Sequence, residues 1–188
     1  APAAASAAPA SPTAGGSTAS GTKVFSFRGM NLKIPTGWKV HYEGDVYRGR
    51  DWILVATGAC AKPEFLAPNC KGFWVLGPKA IAGDPQTGTP YTGKYSFSPT
   101  LDQPYCPFDK RDLWLSEGKP TKGLRQVGPG HTAKYASWPA SCVSQDGSER
   151  RTAKFAQREW FLPTSKILVV DYWNTPSLPN ILKNATWS

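Results

Sequence analysis

Residues 153–187, AKFAQREWFLPTSKILVVDYWNTPSLPNILKNATW, constrain the fold more than any other stretch of the chain. Ala156, Trp160 and Leu162 fall on one face of a strand that Arg158 interrupts. Pro163-Thr164-Ser165 turns the chain. After Lys166, the run from Ile167 to Val170 is short and wholly apolar, the signature of a central strand buried on both faces. Ser177 can then cap a helix that tolerates Pro179 in its first turn. Leu178, Ile181, Leu182 and Ala185 form an apolar stripe along that helix. Each of these apolar faces needs a partner, so the rest of the chain is expected to pack around this unit.

Glycine and proline number eighteen each among 188 residues, which leaves little room for long helices. Eight Trp, seven Tyr and eight Phe supply bulk for a core. Leu32 and Ile34 alternate with Asn31 and Lys33, the period of a half-buried strand, and Gly29 can turn the chain from Val24, Phe25 and Phe27 into it. Pro35-Thr36-Gly37 ends that strand and aims Trp38 back at the sheet. Val40 and Tyr42, then the apolar run from Trp52 to Ala56, give two more strands, with Glu43-Gly44-Asp45 near the connecting turn. A further short strand spans 73–76. Residues 132–142 read as a strand with Ala133, Tyr135 and Ser137 on one face and Lys134, Ala136 and Trp138 on the other. The expected class is α+β: an antiparallel sheet with a short C-terminal helix and long disulfide-tied loops.

Residues 1–22 carry no charge and nothing larger than Pro or Thr. They cannot bury enough apolar area to offset the entropy of ordering, so they read as a disordered Ala/Pro/Ser/Thr tether ahead of a single domain at 23–188. The expectation is a mature exported chain, secreted or tethered at the cell surface, its signal peptide removed. No stretch approaches the ~18 uninterrupted apolar residues of a membrane span. Cys60, Cys70, Cys106 and Cys142 form an even set without a CxxC pair, which suits two disulfides in an oxidising compartment. Three connectivities are open; Cys60–Cys70, closing a proline-containing loop, and Cys106–Cys142, tying the middle to a later strand, are favoured.

Between residues 80 and 130 regularity fails. Gly-Asp-Pro, Gly-Thr-Pro, Phe-Ser-Pro and Gly-Pro-Gly recur, and segments this long without structure are usually functional or cross-linked. Tyr91, Tyr95, Phe97, Tyr105, Phe108 and Trp114 are interleaved here. Two roles fit them: anchors that hold a long loop down, or the lining of a ligand surface. The net charge of +9 comes from scattered cations, with no basic run. It suits either solubility or attraction to an anionic polymer.

Catalytic chemistry finds few footholds. His41 sits in a strand and His131 follows Gly128-Pro129-Gly130 in a loop, and no GxSxG elbow accompanies either. Two histidines and a paired cysteine set leave no metal site, and Asp109–Asp112 is too short for a calcium loop. No phosphate-binding glycine loop or RNA-recognition signature occurs, so no cofactor and no specific nucleic acid are expected. The best catalytic option is the carboxylate pair Glu159 and Asp171, on adjacent strands, as a glycosidase would need. Its competitor is structural: Glu159 paired with Arg158, Arg151 or Lys166, and Asp171 bound to backbone at the strand end.

GMNLKIPTGWKV near the start and REWFLPTSKILVVDYWNTPSL near the end resemble secreted or surface-tethered proteins of high-GC actinobacteria. More distantly, LKIPTGW at 32–38, the closing hairpin and the segment from Leu178 to Trp187 resemble the PsbP-like fold. That resemblance implies an antiparallel sheet with helix cover and carries no catalytic residues across. Residues 77–130 and the four cysteines depart from it. The function expected is a non-enzymatic extracytoplasmic binding or accessory protein, acting as a monomer on a cell-wall polymer, a glycan or a protein. Its expected binding residues are Tyr91, Tyr95, Tyr105, Trp114, Lys122, Arg125 and His131. The alternative is a wall-directed hydrolase using Glu159 and Asp171.

Overall fold

The structure, a computed structural model, describes residues 21–43, 49–64, 70–83, 89–99 and 103–188. The strands are β1 (Thr22–Phe27), β2 (Met30–Pro35), β3 (Lys39–Tyr42), β4 (Trp52–Ala56), β5 (Gly72–Leu76), β6 (Asp112–Ser116), β7 (Thr121–Gln126), β8 (Thr132–Ser144), β9 (Arg151–Leu162), β10 (Ile167–Asp171) and β11 (Thr186–Trp187). The helices are α1 (Pro78–Ile81) and α2 (Leu178–Lys183). Every pairing is antiparallel. An eight-stranded sheet runs β3-β4-β5-β10-β9-β8-β6, with β7 also on β8, and a three-stranded sheet runs β1-β2-β11. The α+β class therefore holds.

The large sheet is covered on both faces. Ile53, Val55, Val75, Trp160, Ile167 and Val169 point to one face, where Leu32 and Ile34 of β2 and Leu178 and Leu182 of α2 meet them. The alternate residues Trp52, Leu54, Trp74, Phe161, Leu168 and Val170 point to the other, where α1 and Phe97 cover them. The period of two in each central strand thus serves two separate cores. β10 lies between β5 and β9 and is buried throughout, as its apolar run requires. Leu178, Leu182 and Ala185 are buried with Ile181 against them, so the helical stripe faces the sheet. Ser177 occupies the N-cap position but its side chain makes no capping bond.

The opening hairpin turns at Gly29, and Trp38 packs edge-on against Phe73 with ring centroids 5.9 Å apart. β1 opens at Thr22, one residue before the expected start, and Gly21 already accepts a 2.9 Å bond from the Thr36 amide. Residues 1–20 of the tether expected over 1–22, the turn at Gly44-Asp45 and the middle of the Cys60–Cys70 loop lie outside the described residues. Both favoured disulfides form, with Cα atoms 5.5 Å apart for Cys60–Cys70 and 5.3 Å for Cys106–Cys142. Two disulfides fit an extracellular protein. No helix among the described residues is long and apolar enough to cross a membrane.

The expectation of an irregular 80–130 fails in its second half. β6 and β7 lie end to end along β8, broken between Glu117 and Pro120. Pro139 of β8 sits opposite the break: its carbonyl accepts the Glu117 amide at 2.8 Å, so its N–H-less nitrogen faces the gap rather than a ladder partner. Gly118, Pro120 and Gly123 hide these strands from a pattern search, and β7 is polar because the edge it occupies is exposed.

Candidate functional site

Glu159 and Asp171 lie on adjacent strands but do not meet. Glu159 pairs in register with Val170, and Asp171 with Arg158, so the two carboxylates stand one residue out of step and point to opposite faces of the sheet. A pair of that kind cannot flank one scissile bond. Each is also fully engaged by donors. Asp171 accepts Arg158 Nε at 3.1 Å and Nη2 at 2.5 Å, the amides of Trp173 and Thr175 at 3.2 and 3.0 Å, and the Thr175 hydroxyl at 3.0 Å. Binding of Asp171 to backbone is as expected; the expected pairing of Glu159 with Arg158, Arg151 or Lys166 is corrected, since Arg158 goes to Asp171, Arg151 to Glu117, and Glu159 takes neutral donors.

Glu159 faces the irregular segment. It accepts the Tyr91 hydroxyl, the Phe97 amide at 2.7 Å, Gln157 Nε2 at 2.8 Å and Trp138 Nε1 at 3.1 Å. Burial raises its pKa above the ordinary 4.5, against the lowering effect of these four donors. Burial and the facing carboxyl of Glu159 push the Tyr91 phenol far above its ordinary 10.0. This cluster is a latch: it fastens residues 91–97 to β8 and β9.

The expected binding residues divide between the two faces and do not form one surface. Tyr91 is an anchor, its ring edge-on to Phe161 at 5.0 Å. Lys122 lies over Trp138 on the Glu159 side, 5.3 Å from the ring. Tyr95 is 71% exposed beneath Lys94, and Tyr105 is bridged to Leu113. Trp114 is half-buried beside Tyr105 and Phe97. His131 stacks on Trp187 at 3.6 Å and points Nδ1 at the Pro129 carbonyl, which makes it part of a turn. Arg125 pairs in register with Ala133 and so belongs to the opposite, α2-covered face.

Arg125 stands in a groove of about 470 Å³ between β7 and α2. β7 supplies Leu124, Arg125 and Gln126, the floor is Tyr135 and Trp160, and the far wall is Pro176, Pro179, Asn180 and Lys183. The guanidinium lies 4.4 Å above the centre of the Tyr135 ring, and Tyr135 in turn packs on Trp160 at 5.2 Å. Gly123 makes room for it: a methyl group there would come within 2.9 Å of Arg125 Nη1. Glycine inside a strand weakens the strand, and here the space it leaves fixes a cation. α2 is held to β7 at the same end. Gly128 donates to the Lys183 carbonyl at 3.3 Å, and at φ +72° its Cα lies so close to the Ala185 carbonyl that a side chain there would collide at 2.2 Å.

Among the described residues neither Arg125 nor Lys183 has an ion-pair partner and no carboxylate lines the groove. Aromatic floor, guanidinium, ammonium and the Asn180 amide together suit an anionic ligand that also carries hydroxyl groups. Of this set sequence reading found only Arg125. Tyr135 and Trp160 fall on strand faces in the sequence, and Gly123 and Lys183 carry no pattern of their own. Comparison with protein-family descriptions, curated proteins and solved structures finds no match to this chain.

Proposed function

We propose that this chain is a non-enzymatic, exported binding protein whose working surface is the groove between β7 and α2. Its ligand is an anionic cell-wall polymer or glycan, held by Arg125 and Lys183 with Asn180 toward its hydroxyl groups. The observation that carries this reading is the Arg125 guanidinium, without an acidic partner among the described residues and held 4.4 Å above the Tyr135 ring centre, its Nη1 donating to the Leu124 carbonyl, over the space left by Gly123. A planar guanidinium oriented before the ligand arrives loses less freedom on binding than a free side chain. The two disulfides and the net charge of +9 support an extracytoplasmic setting with anionic partners. The antiparallel sheet backed by α2 supports a PsbP-like reading of the fold.

Retention on immobilised polyuronate and on a polyol-phosphate polymer, measured against rising NaCl, tests the proposal. Arg125→Ala with Lys183→Ala is expected to weaken retention at least about tenfold, the equivalent of ~1.4 kcal/mol. Gly123→Ala, which displaces only the end of a flexible side chain, is expected to weaken it with melting unchanged. Retention on both polymers that ignores all three substitutions, or ignores salt, would reject the groove as the site.

A further inference from the structure

A second groove, of about 490 Å³, lies on the opposite face of the same hairpin. Lys134 and Phe161, a cross-strand pair, line it, one position along from the Tyr135–Trp160 pair that floors the first. Its character is different. Ile81 and Phe161 are buried at its base, Pro78 and Pro163 stand at its sides, and the charged members are Lys134 and Lys166, both exposed and therefore at the rim. Among the described residues no carboxylate lines it and neither lysine has an ion-pair partner. Lys166 also holds a left-handed backbone conformation, φ 56°, in the tight turn after β9. Glycine or asparagine would adopt that conformation with less strain. The wall is preformed: the Tyr91 amide donates to the Ile81 carbonyl at 2.9 Å, joining α1 to the segment latched by Glu159.

We infer that this groove is a binding site for a free amphipathic anion, a molecule with a slender apolar body and one anionic head. Ile81 and Phe161 offer apolar contact to the body, and the prolines narrow the channel without adding donors. Lys134 and Lys166 offer two ammonium groups to the head. A concave site of this volume suits one small molecule, whereas a membrane surface would need a flat or protruding patch.

The test uses the full chain and sodium dodecanoate below its micelle-forming concentration, followed by titration calorimetry. Saturable one-to-one binding is expected, weaker for hexanoate and weaker for uncharged dodecyl maltoside. Lys134→Gln with Lys166→Gln is expected to reduce dodecanoate affinity at least about tenfold, or ~1.4 kcal/mol, without changing melting, because both side chains are exposed. Arg125→Ala, in the other groove, is expected to leave dodecanoate binding intact, so this site and the polymer site fail or stand separately. Absence of saturable binding overturns the inference. So does binding that ignores the two lysine substitutions, equal affinity for dodecyl maltoside, or binding to anionic phospholipid vesicles but not to the free amphiphile.

Discussion

Glu159 and Asp171 occupy neighbouring strands, are both buried and are both saturated with donors, yet they organise their two faces in opposite ways. The donors to Asp171 come from Trp173 and Thr175, two and four residues along the chain, and from Arg158 directly across the hairpin. It closes the short connection between β10 and α2, and a guanidinium neutralises it. The donors to Glu159 include Tyr91 and Phe97, 68 and 62 residues away, and no cation is among them. Asp171 is thus a local device on the regular face. Glu159 is the long-range fastening of an irregular segment that has no ladder of its own. A face built from patterned strands and a helix is held by many equivalent contacts; a face covered by loop is held by a few specific ones.

That contrast is sharpest in the two truncations. Asp171→Ala leaves the part-buried Arg158 guanidinium with the Thr175 carbonyl but no counter-charge, and strips the Trp173 and Thr175 amides of their acceptor; a loss of about 3–5 kcal/mol is expected. It is expected to be global, seen as one cooperative transition at lower urea. Glu159→Ala leaves several donors unpaired, but the segment that carries two of them can move out to water. The expected loss is smaller, about 2–4 kcal/mol, accompanied by native-state proteolytic cleavage within residues 89–99. Equal losses with identical cleavage patterns would break the comparison.

Buried and exposed carboxylates also differ in pH response. Burial raises the Glu159 pKa from 4.5, so the folded state holds this proton more tightly than the unfolded chain. The stability it contributes is fully present below about pH 4.5 and is lost as pH rises through the folded value. Asp109 and Asp146 act with the opposite sign: their hydrogen bonds to Arg111 and Ser148 lower their pKa values from 3.8 to about 2, so what they contribute is lost as pH falls toward 2. Stability curves should therefore decline with pH above 4.5 in the native protein and lose that slope in Glu159→Gln. A slope that survives Glu159→Gln belongs to another group.

How much of this was legible in the sequence follows the same divide. The closing hairpin, the buried run of β10, the stripe of α2 and both disulfides are local or pairwise signals, and the structure carries each of them. β6 and β7 were not legible, because an edge strand with one neighbour has no need of apolar alternation and Gly118, Pro120 and Gly123 interrupt it. The roles of Glu159 and Asp171 were half legible. Their places on adjacent strands could be read, but a shift of one residue in register decides whether two side chains share a face, and no composition or spacing fixes that shift. The groove at Arg125 depends on Gly123, Tyr135 and Lys183 from three separate elements, a juxtaposition only the folded topology creates.

The smallest expected effect tests the latch most directly. Tyr91→Phe removes one hydroxyl and leaves the ring, so the edge-on contacts with Phe161 at 5.0 Å and Phe97 at 6.0 Å can persist. Glu159 keeps the Phe97 amide, Gln157 and Trp138 as donors, and a loss of about 1 kcal/mol is expected with residues 89–99 still protected from protease. The hydroxyl also lowers the Glu159 pKa by donating to the carboxylate. Its removal should move the pH-dependent decline in stability to higher pH. In the background of Glu159→Gln the same substitution should leave the pH dependence unchanged, because the titrating group is gone. A downward shift in Tyr91→Phe would mean that the hydroxyl is not stabilising the ionised carboxylate, and that the segment is held by its rings and by the Phe97 backbone.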